Sequence, residues 1–206
     1  MFEDKEVIEN EFCRILMKIN ALEFGTFKLS SGRVTPYYVD LRLISSFPDA
    51  FHRISEFCAT FVKKELDAES FDRISGIPVA GIPLASILAY QLSKPFIYVR
   101  QGVKLRGRER RVEGVLMPGD RILMVDDLVT TGLSLKRTAV SIRSEGGVVT
   151  DAFVLLDREE GGRKRLAENE IEVHPLFKIS EIAKTLYEMN AITEDQLKII
   201  LKQVKK

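Results

Sequence analysis

The apolar positions of this 206-residue chain change period along its length, and those changes mark out its elements. Ile8, Phe12, Ile15, Leu16 and Ile19 recur at three- and four-residue intervals, which predicts an amphipathic helix over 7–22. The stretch 25–40 is different: short, rich in β-formers and punctuated by Ser30-Ser31-Gly32 and Pro36, as a hairpin would be. Phe51, Ile54, Cys58 and Phe61 restore helical spacing over 48–66. Beyond them strand and helix alternate. The pattern predicts strands at 73–77, 96–99, 121–125 and 148–156, with a helix at 84–92 and another ending at Gly146-Gly147. The strand at 148–156 is the last clear one. Ile182, Leu186, Ile199 and Leu201 mark two closing helices around Asn190, the second starting at Glu194-Asp195 after Thr193. Such alternation argues for an α/β fold with a doubly wound, mainly parallel sheet. The β-rich segment falls outside it and predicts a small N-terminal hood over about 1–45, with the C-terminal helices nearby, all within one domain, 1–206.

Composition narrows the function classes. With 45% hydrophobic and 30% charged residues the chain has an ordinary globular make-up. Its formal net charge of +1 supplies no field for nucleic acid or a membrane surface. Positive charge is local, between Arg100 and Arg111. No stretch is long and apolar enough to span a bilayer, and Met1-Phe2-Glu3-Asp4-Lys5-Glu6 does not read as a secretory leader. Cys13 and Cys58 lie in apolar helical patterns and are expected as buried thiols in a reducing cytoplasm. His52 and His174 are too few and too far apart to suggest zinc.

The chemistry concentrates where Ile122-Leu123-Met124-Val125 runs into Asp126-Asp127, then Leu128-Val129-Thr130-Thr131-Gly132-Leu133-Ser134. A bounded apolar run is a buried strand, and open α/β sheets place ligands at the C-terminal ends of their strands. A Thr/Gly/Ser loop opening a helix offers backbone N–H groups and hydroxyls to an anion. Capping would need one carboxylate, whereas two side by side repel each other and suit sugar hydroxyls or a metal. The combination fits a phosphorylated sugar. Gly-x-x-x-x-Gly-Lys is missing, which argues against a nucleoside triphosphatase.

Three further segments carry candidate residues. The basic run 100–114 leaves the same sheet edge and is either a solvated hairpin or a lid over a diphosphate. In the hairpin, one of Tyr37 and Tyr38 must face away from the hood core, where a ring can serve as a platform for a flat heterocycle. Asp157-Arg158-Glu159-Glu160-Gly161-Gly162 is either a surface ion pair or a guanidinium fork for a planar carboxylate.

These segments together resemble orotate phosphoribosyltransferase, of the type I phosphoribosyltransferase family. The apolar strand, paired acids and Thr-Thr-Gly-x-Ser loop are similar to its phosphoribosyl diphosphate signature. Arg100, Lys104, Gly107 and Glu113-Gly114 match its basic loop, with Gln101 where Lys is usual and Arg106 where His or Tyr is usual. The hood segment is similar too, with Ser30 where many members have Lys and Lys28 two residues earlier on the same strand face. Asp157-Arg158 with Gly161-Gly162 matches the family's orotate motif.

The resemblance implies transfer of phosphoribose from 5-phosphoribosyl 1-diphosphate to N1 of orotate, giving orotidine 5′-phosphate and diphosphate, with Mg²⁺. Under it, Asp126 and Asp127 hold the ribose hydroxyls, directly or through Mg²⁺, and 128–134 takes the 5′-phosphate. Arg100, Lys104 and Arg106 meet the leaving diphosphate, with Lys104, Asp126 and Asp127 catalytic. Thr130, Arg158, Tyr37, Tyr38, Ser30 and Lys28 contact orotate. It also implies a homodimer in which loop 100–114 reaches the neighbouring site. Two rivals are a purine phosphoribosyltransferase, opposed by Arg158 and the Tyr-Tyr hood, and a non-catalytic transcriptional sensor, opposed by the balanced charge.

Overall fold

The computed structural model describes residues 5–28, 34–100 and 111–204. Its centre is a six-stranded sheet of order β5-β4-β3-β6-β7-β8. These strands are β3 (Arg73–Gly76), β4 (Phe96–Val99), β5 (Val112–Glu113), β6 (Arg121–Val129), β7 (Val148–Asp157) and β8 (Glu172–Lys178). All pair in parallel except β5, which is antiparallel to β4. Parallel strands buried on both faces read as continuous apolar runs, and β6 and β7 do. Within β6, Leu123 and Val125 join one apolar cluster while Ile122 and Met124 join the other. A core on each face is what the doubly wound expectation requires.

Helices α1 (Lys5–Lys18), α2 (Pro48–Glu65), α3 (Gly81–Gln91), α6 (Ile179–Glu188) and α7 (Glu194–Val204) all contribute to the first cluster, where Phe12 stacks on Phe177 with centroids 4.3 Å apart. Helix α4 (Leu133–Ser144) and the short α5 (Gly162–Ala167) contribute to the second. Cys13 and Cys58 are buried and free, and burial pushes the Cys13 thiol up to about 12. Among the described residues, no helix is long and apolar enough to cross a membrane.

The hood segment forms a separate antiparallel pair, β1 (Leu22–Lys28) with β2 (Val34–Val39). A two-stranded ribbon is marginal alone. Here Tyr37 and Val39 sit in the same apolar cluster as α1, α2 and α6, so the ribbon is anchored to the core.

β8 and α5 are among the elements that the sequence pattern did not predict. The strand β8 follows what looked like the last one; its Pro175 breaks the strand signature, and β8 pairs on one side only, where proline is tolerated. Helix α5 is a single six-residue segment, too short to show a period.

Candidate active site

The chain leaves β3 toward β4 on one side and later returns as β6 on the other, so a crevice opens between the C-terminal ends of β3 and β6. Asp126 and Asp127 stand there. Backbone donors fix both carboxylates: the Asp127 N–H donates to Asp126 Oδ1 at 3.0 Å and the Leu128 N–H to Asp127 Oδ1 at 2.9 Å. Burial and the neighbouring charge of Asp127 hold Asp126 well above the usual carboxylate range, and burial raises Asp127 as well. Asp127 also borders a mostly apolar cavity of about 230 Å³, lined by Leu41, Ile54, Pro83 and Leu84 among others.

The start of α3 presses on this pair. A Cβ on Gly81 would lie 2.6 Å from the Val125 carbonyl and 2.8 Å from Asp126 Oδ1, so only glycine permits the approach. The stretch 77–80 between β3 and α3 borders the crevice, with Val79 exposed and Ala80 lining the cavity shared by Asp127 and Arg158. Nothing in the sequence reading singled it out.

After β6 the loop turns at Gly132, which adopts φ 74°, and α4 starts without a side-chain cap. Its first N–H groups are thus left to an anion. Helix α5 braces the loop from outside. Arg165 donates to the Thr131 carbonyl at 2.8 Å, and Gly162 packs so closely that a Cβ would meet the Thr130 carbonyl at 2.7 Å. Thr130 and Thr131 are half-buried, and Leu133 and Ser134 are exposed. Val129 contributes backbone alone: its side chain is in the core and its carbonyl accepts the Arg158 N–H at 3.0 Å.

A second cavity, about 310 Å³, adjoins Asp127, Leu128, Thr130 and Thr131 and is closed by Lys28, Tyr38, Arg42 and Arg158. Part of the loop expected to take the phosphate, Thr130 and Thr131, therefore shares one space with Lys28, Tyr38 and Arg158 of the expected orotate residues. Of the two tyrosines only Tyr38 serves as an accessible platform: it is half-buried, tilted against Phe27 at 5.5 Å. The expectation that Tyr37 contacts the base is corrected, because strand alternation turns Tyr37 into the core, at 0% exposure. Its ring instead carries the Arg158 guanidinium, 4.5 Å from the centroid. Arg158 is likewise no surface ion pair; it is buried and bound to Glu160 at 2.9 Å.

Arg42 was not foreseen. It chelates Asp40 through Nε and Nη2, both at 2.7 Å, and Nη2 also donates to the Tyr38 hydroxyl at 3.0 Å. That pairing holds the Asp40 carboxyl below its ordinary range and ties the Tyr38 ring to the cavity rim. Arg100 closes the base of the β4–β5 hairpin, with its side chain paired to Glu113 and its N–H donating to the Arg111 carbonyl at 3.0 Å. Ser30, Gln101, Lys104 and Arg106 lie outside the described residues.

Residues 49–175 match the family model described as phosphoribosyl transferase domain. The orotate phosphoribosyltransferase of Cenarchaeum symbiosum (strain A) is 39% identical over 187 residues, spanning 91% of this chain and 94% of that one. The chain belongs to the orotate phosphoribosyltransferase family. Solved members agree with this placement. The Aeropyrum pernix orotate phosphoribosyltransferase superposes with TM-score 0.76 at 31% identity, over 88% of this chain and 99% of that one. The Leishmania donovani UMP synthase superposes with TM-score 0.85 at 28% identity, over 96% of this chain but 42% of its own. The family is one of pentosyltransferases.

Proposed function

We propose that this chain transfers phosphoribose from 5-phosphoribosyl 1-diphosphate to N1 of orotate, forming orotidine 5′-phosphate and diphosphate in pyrimidine biosynthesis. One observation carries the reading: the buried Arg158, Asp127 and the residues Thr130–Thr131 that lead into the uncapped α4 line one small cavity, with Asp126 next to Asp127. A guanidinium suits the orotate carboxylate, the α4 N-terminus suits the 5′-phosphate, and the acids suit the ribose between them.

The residues also fit Mg²⁺. Asp126 and Asp127 offer only hard oxygen donors side by side, and because burial holds their carboxyls above the ordinary range, a cation would supply the charge that water cannot. When bound with the diphosphate, Mg²⁺ supplies positive charge to the leaving group. The chain's own residues do the rest. The α4 N-terminus anchors the 5′-phosphate, while Asp126 and Asp127 hold the ribose hydroxyls and favour the positive character that develops at the anomeric carbon. Tyr38 and Arg158 orient the base so that N1 faces that carbon. Arg100, Lys104 and Arg106 neutralise the departing diphosphate. No covalent nucleophile is required.

The test is orotate consumption, followed by absorbance with phosphoribosyl diphosphate and Mg²⁺, in the wild type and in Lys104→Ala. Turnover that falls by about 10²–10³ in the variant is the expected result, the scale of losing one transition-state charge partner. Tight phosphoribosyl diphosphate binding without turnover would overturn the reading. On the same reading the enzyme is a homodimer whose Lys104 acts in the partner's site. Mixing Lys104→Ala with Asp126→Asn should then recover activity that neither variant shows alone.

A further inference from the structure

Among the described residues Arg158 heads the largest fully buried side chains. A buried cation is costly unless charge and hydrogen bonds compensate it. Its Nη2 lies 2.9 Å from Glu160 Oε1, itself buried, and donates to Thr35 Oγ1 at 3.2 Å. The guanidinium lies over the Tyr37 ring at 4.5 Å, and the Thr35 hydroxyl is oriented by its own bond to the Tyr37 carbonyl at 3.0 Å. Two chain segments, hood strand β2 and the turn after β7, thus hold one nitrogen and one face of the group. The Nε–H has no hydrogen-bond partner although it is buried. Such an orphaned donor is rare in a core. Here it belongs to a residue that lines the 310 Å³ cavity.

From this arrangement we infer that Glu160 is a positioning residue for the base site: with Thr35 and Tyr37 it clamps Arg158 so that the Nε–H is kept for the substrate carboxylate. The inference rests on the proposed orotate reading of Arg158. Glu160 fills a distinct need. Without a fixed counter-charge, an arginine in this setting would turn toward another carboxylate, and Asp127 lines the same cavity. With Glu160 in place the guanidinium plane is set before substrate arrives, so little ordering is left for binding to supply. Glu160 also repels an incoming anion, and its net benefit therefore lies in geometry rather than in charge.

Orotidine 5′-phosphate and uridine 5′-phosphate differ only in the carboxylate, so the ratio of their dissociation constants, read by calorimetry, isolates the Arg158 contact. Glu160→Ala should reduce that preference at least tenfold and raise the orotate KM by a similar factor, leaving the phosphoribosyl diphosphate KM within twofold. Glu160→Gln, which keeps an acceptor at the same reach, should restore the preference to within about threefold of wild type. Should the alanine variant fail to fold, Glu160→Asp withdraws the carboxylate by one methylene and should show the same selective loss. An equal weakening of both nucleotides, or an unchanged ratio, would overturn the inference. Arg158→Lys separates the two claims. If it leaves the ratio intact, the orotate reading of Arg158 itself fails; if it abolishes the ratio while the Glu160 variants do not, only the clamp fails.

Discussion

Gly81→Ala probes the most demanding contact in the crevice. The backbone of Gly81 is in an ordinary conformation for alanine, so only space opposes the change. The new methyl would sit 2.6 Å from the Val125 carbonyl, 2.8 Å from Asp126 Oδ1 and 2.9 Å from Asp126 Cα, against an ordinary contact of at least 3.4 Å. Two of those atoms are backbone of a central strand and cannot turn aside. Relief therefore requires the start of α3 to retreat from β6 by about 0.8 Å, the shortfall between 3.4 and 2.6 Å. Overpacking of this kind costs about 1–3 kcal/mol. Alanine's better helix propensity offsets at most about 1 kcal/mol, and less at the first residue of a helix. The same retreat moves the 77–80 stretch away from the Asp126–Asp127 pair, and a displacement near 1 Å at a reacting centre lowers rates by roughly 10²-fold. Urea unfolding and initial rates with saturating orotate measure both effects. A variant with stability within about 0.5 kcal/mol of wild type and kcat/KM within twofold would refute the claim that this approach builds the site.

Other expectations follow from the same geometry. Asp126 binds its proton more tightly folded than unfolded, so stability falls as pH rises from about 4 toward its raised native value, with a slope of up to about 1.4 kcal/mol per pH unit. In metal-free buffer Asp126→Asn should flatten that slope and stabilise the protein at pH 7 while abolishing turnover; parallel stability–pH curves for the two proteins would contradict this. Phe12→Ala removes a fully buried ring stacked on Phe177 and should cost about 3–5 kcal/mol, seen as a lowered thermal midpoint with the phosphoribosyl diphosphate KM unchanged. Gly132→Ala forces a side chain into φ 74° and within 2.9 Å of Leu166, so about 1–2 kcal/mol should be lost and inorganic phosphate should bind more weakly by titration calorimetry.

What the sequence disclosed depended on how local the information was. The run from Ile122 to Ser134 carries strand, acids, loop and helix start in that order within one continuous segment, although the strand continues through the acids to Val129 and the helix already starts at Leu133. The alternation of strands and helices likewise prescribed a parallel sheet, because the period of each segment is a property of its own residues. Side-chain direction in the hood was half legible. Alternation guaranteed that Tyr37 and Tyr38 point opposite ways, but which one faces the cavity is set by how β2 docks on the core. The burial of Arg158 was illegible for the same reason, since Thr35 lies 123 residues away. Gly81 could not be singled out either, because its neighbours across the crevice belong to β6. Asp40-Leu41-Arg42 is the exception: the partners of that chelate are only two residues apart, and the signal was available.

The two halves of the crevice therefore differ in what makes them. On the proposed reading the phosphate and ribose half is built almost wholly from β6, an inner strand of the sheet, its loop and α4. The proposed base half exists only where the hood meets the core, because Thr35 and Tyr37 come from β2 and Arg158 follows the end of β7. An isolated two-stranded ribbon has little stability of its own, so docking must supply what keeps β1–β2 in place. Part of that docking is apolar, through Tyr37 and Val39, and part is the Arg158 contact with Thr35 and the Tyr37 ring. A ligand that satisfies the buried Nε–H of Arg158 removes an unmet donor from this same junction. If Arg158 takes the orotate carboxylate as proposed, base binding and hood docking draw on one group, and a base that lacks a carboxylate forfeits contact and junction together.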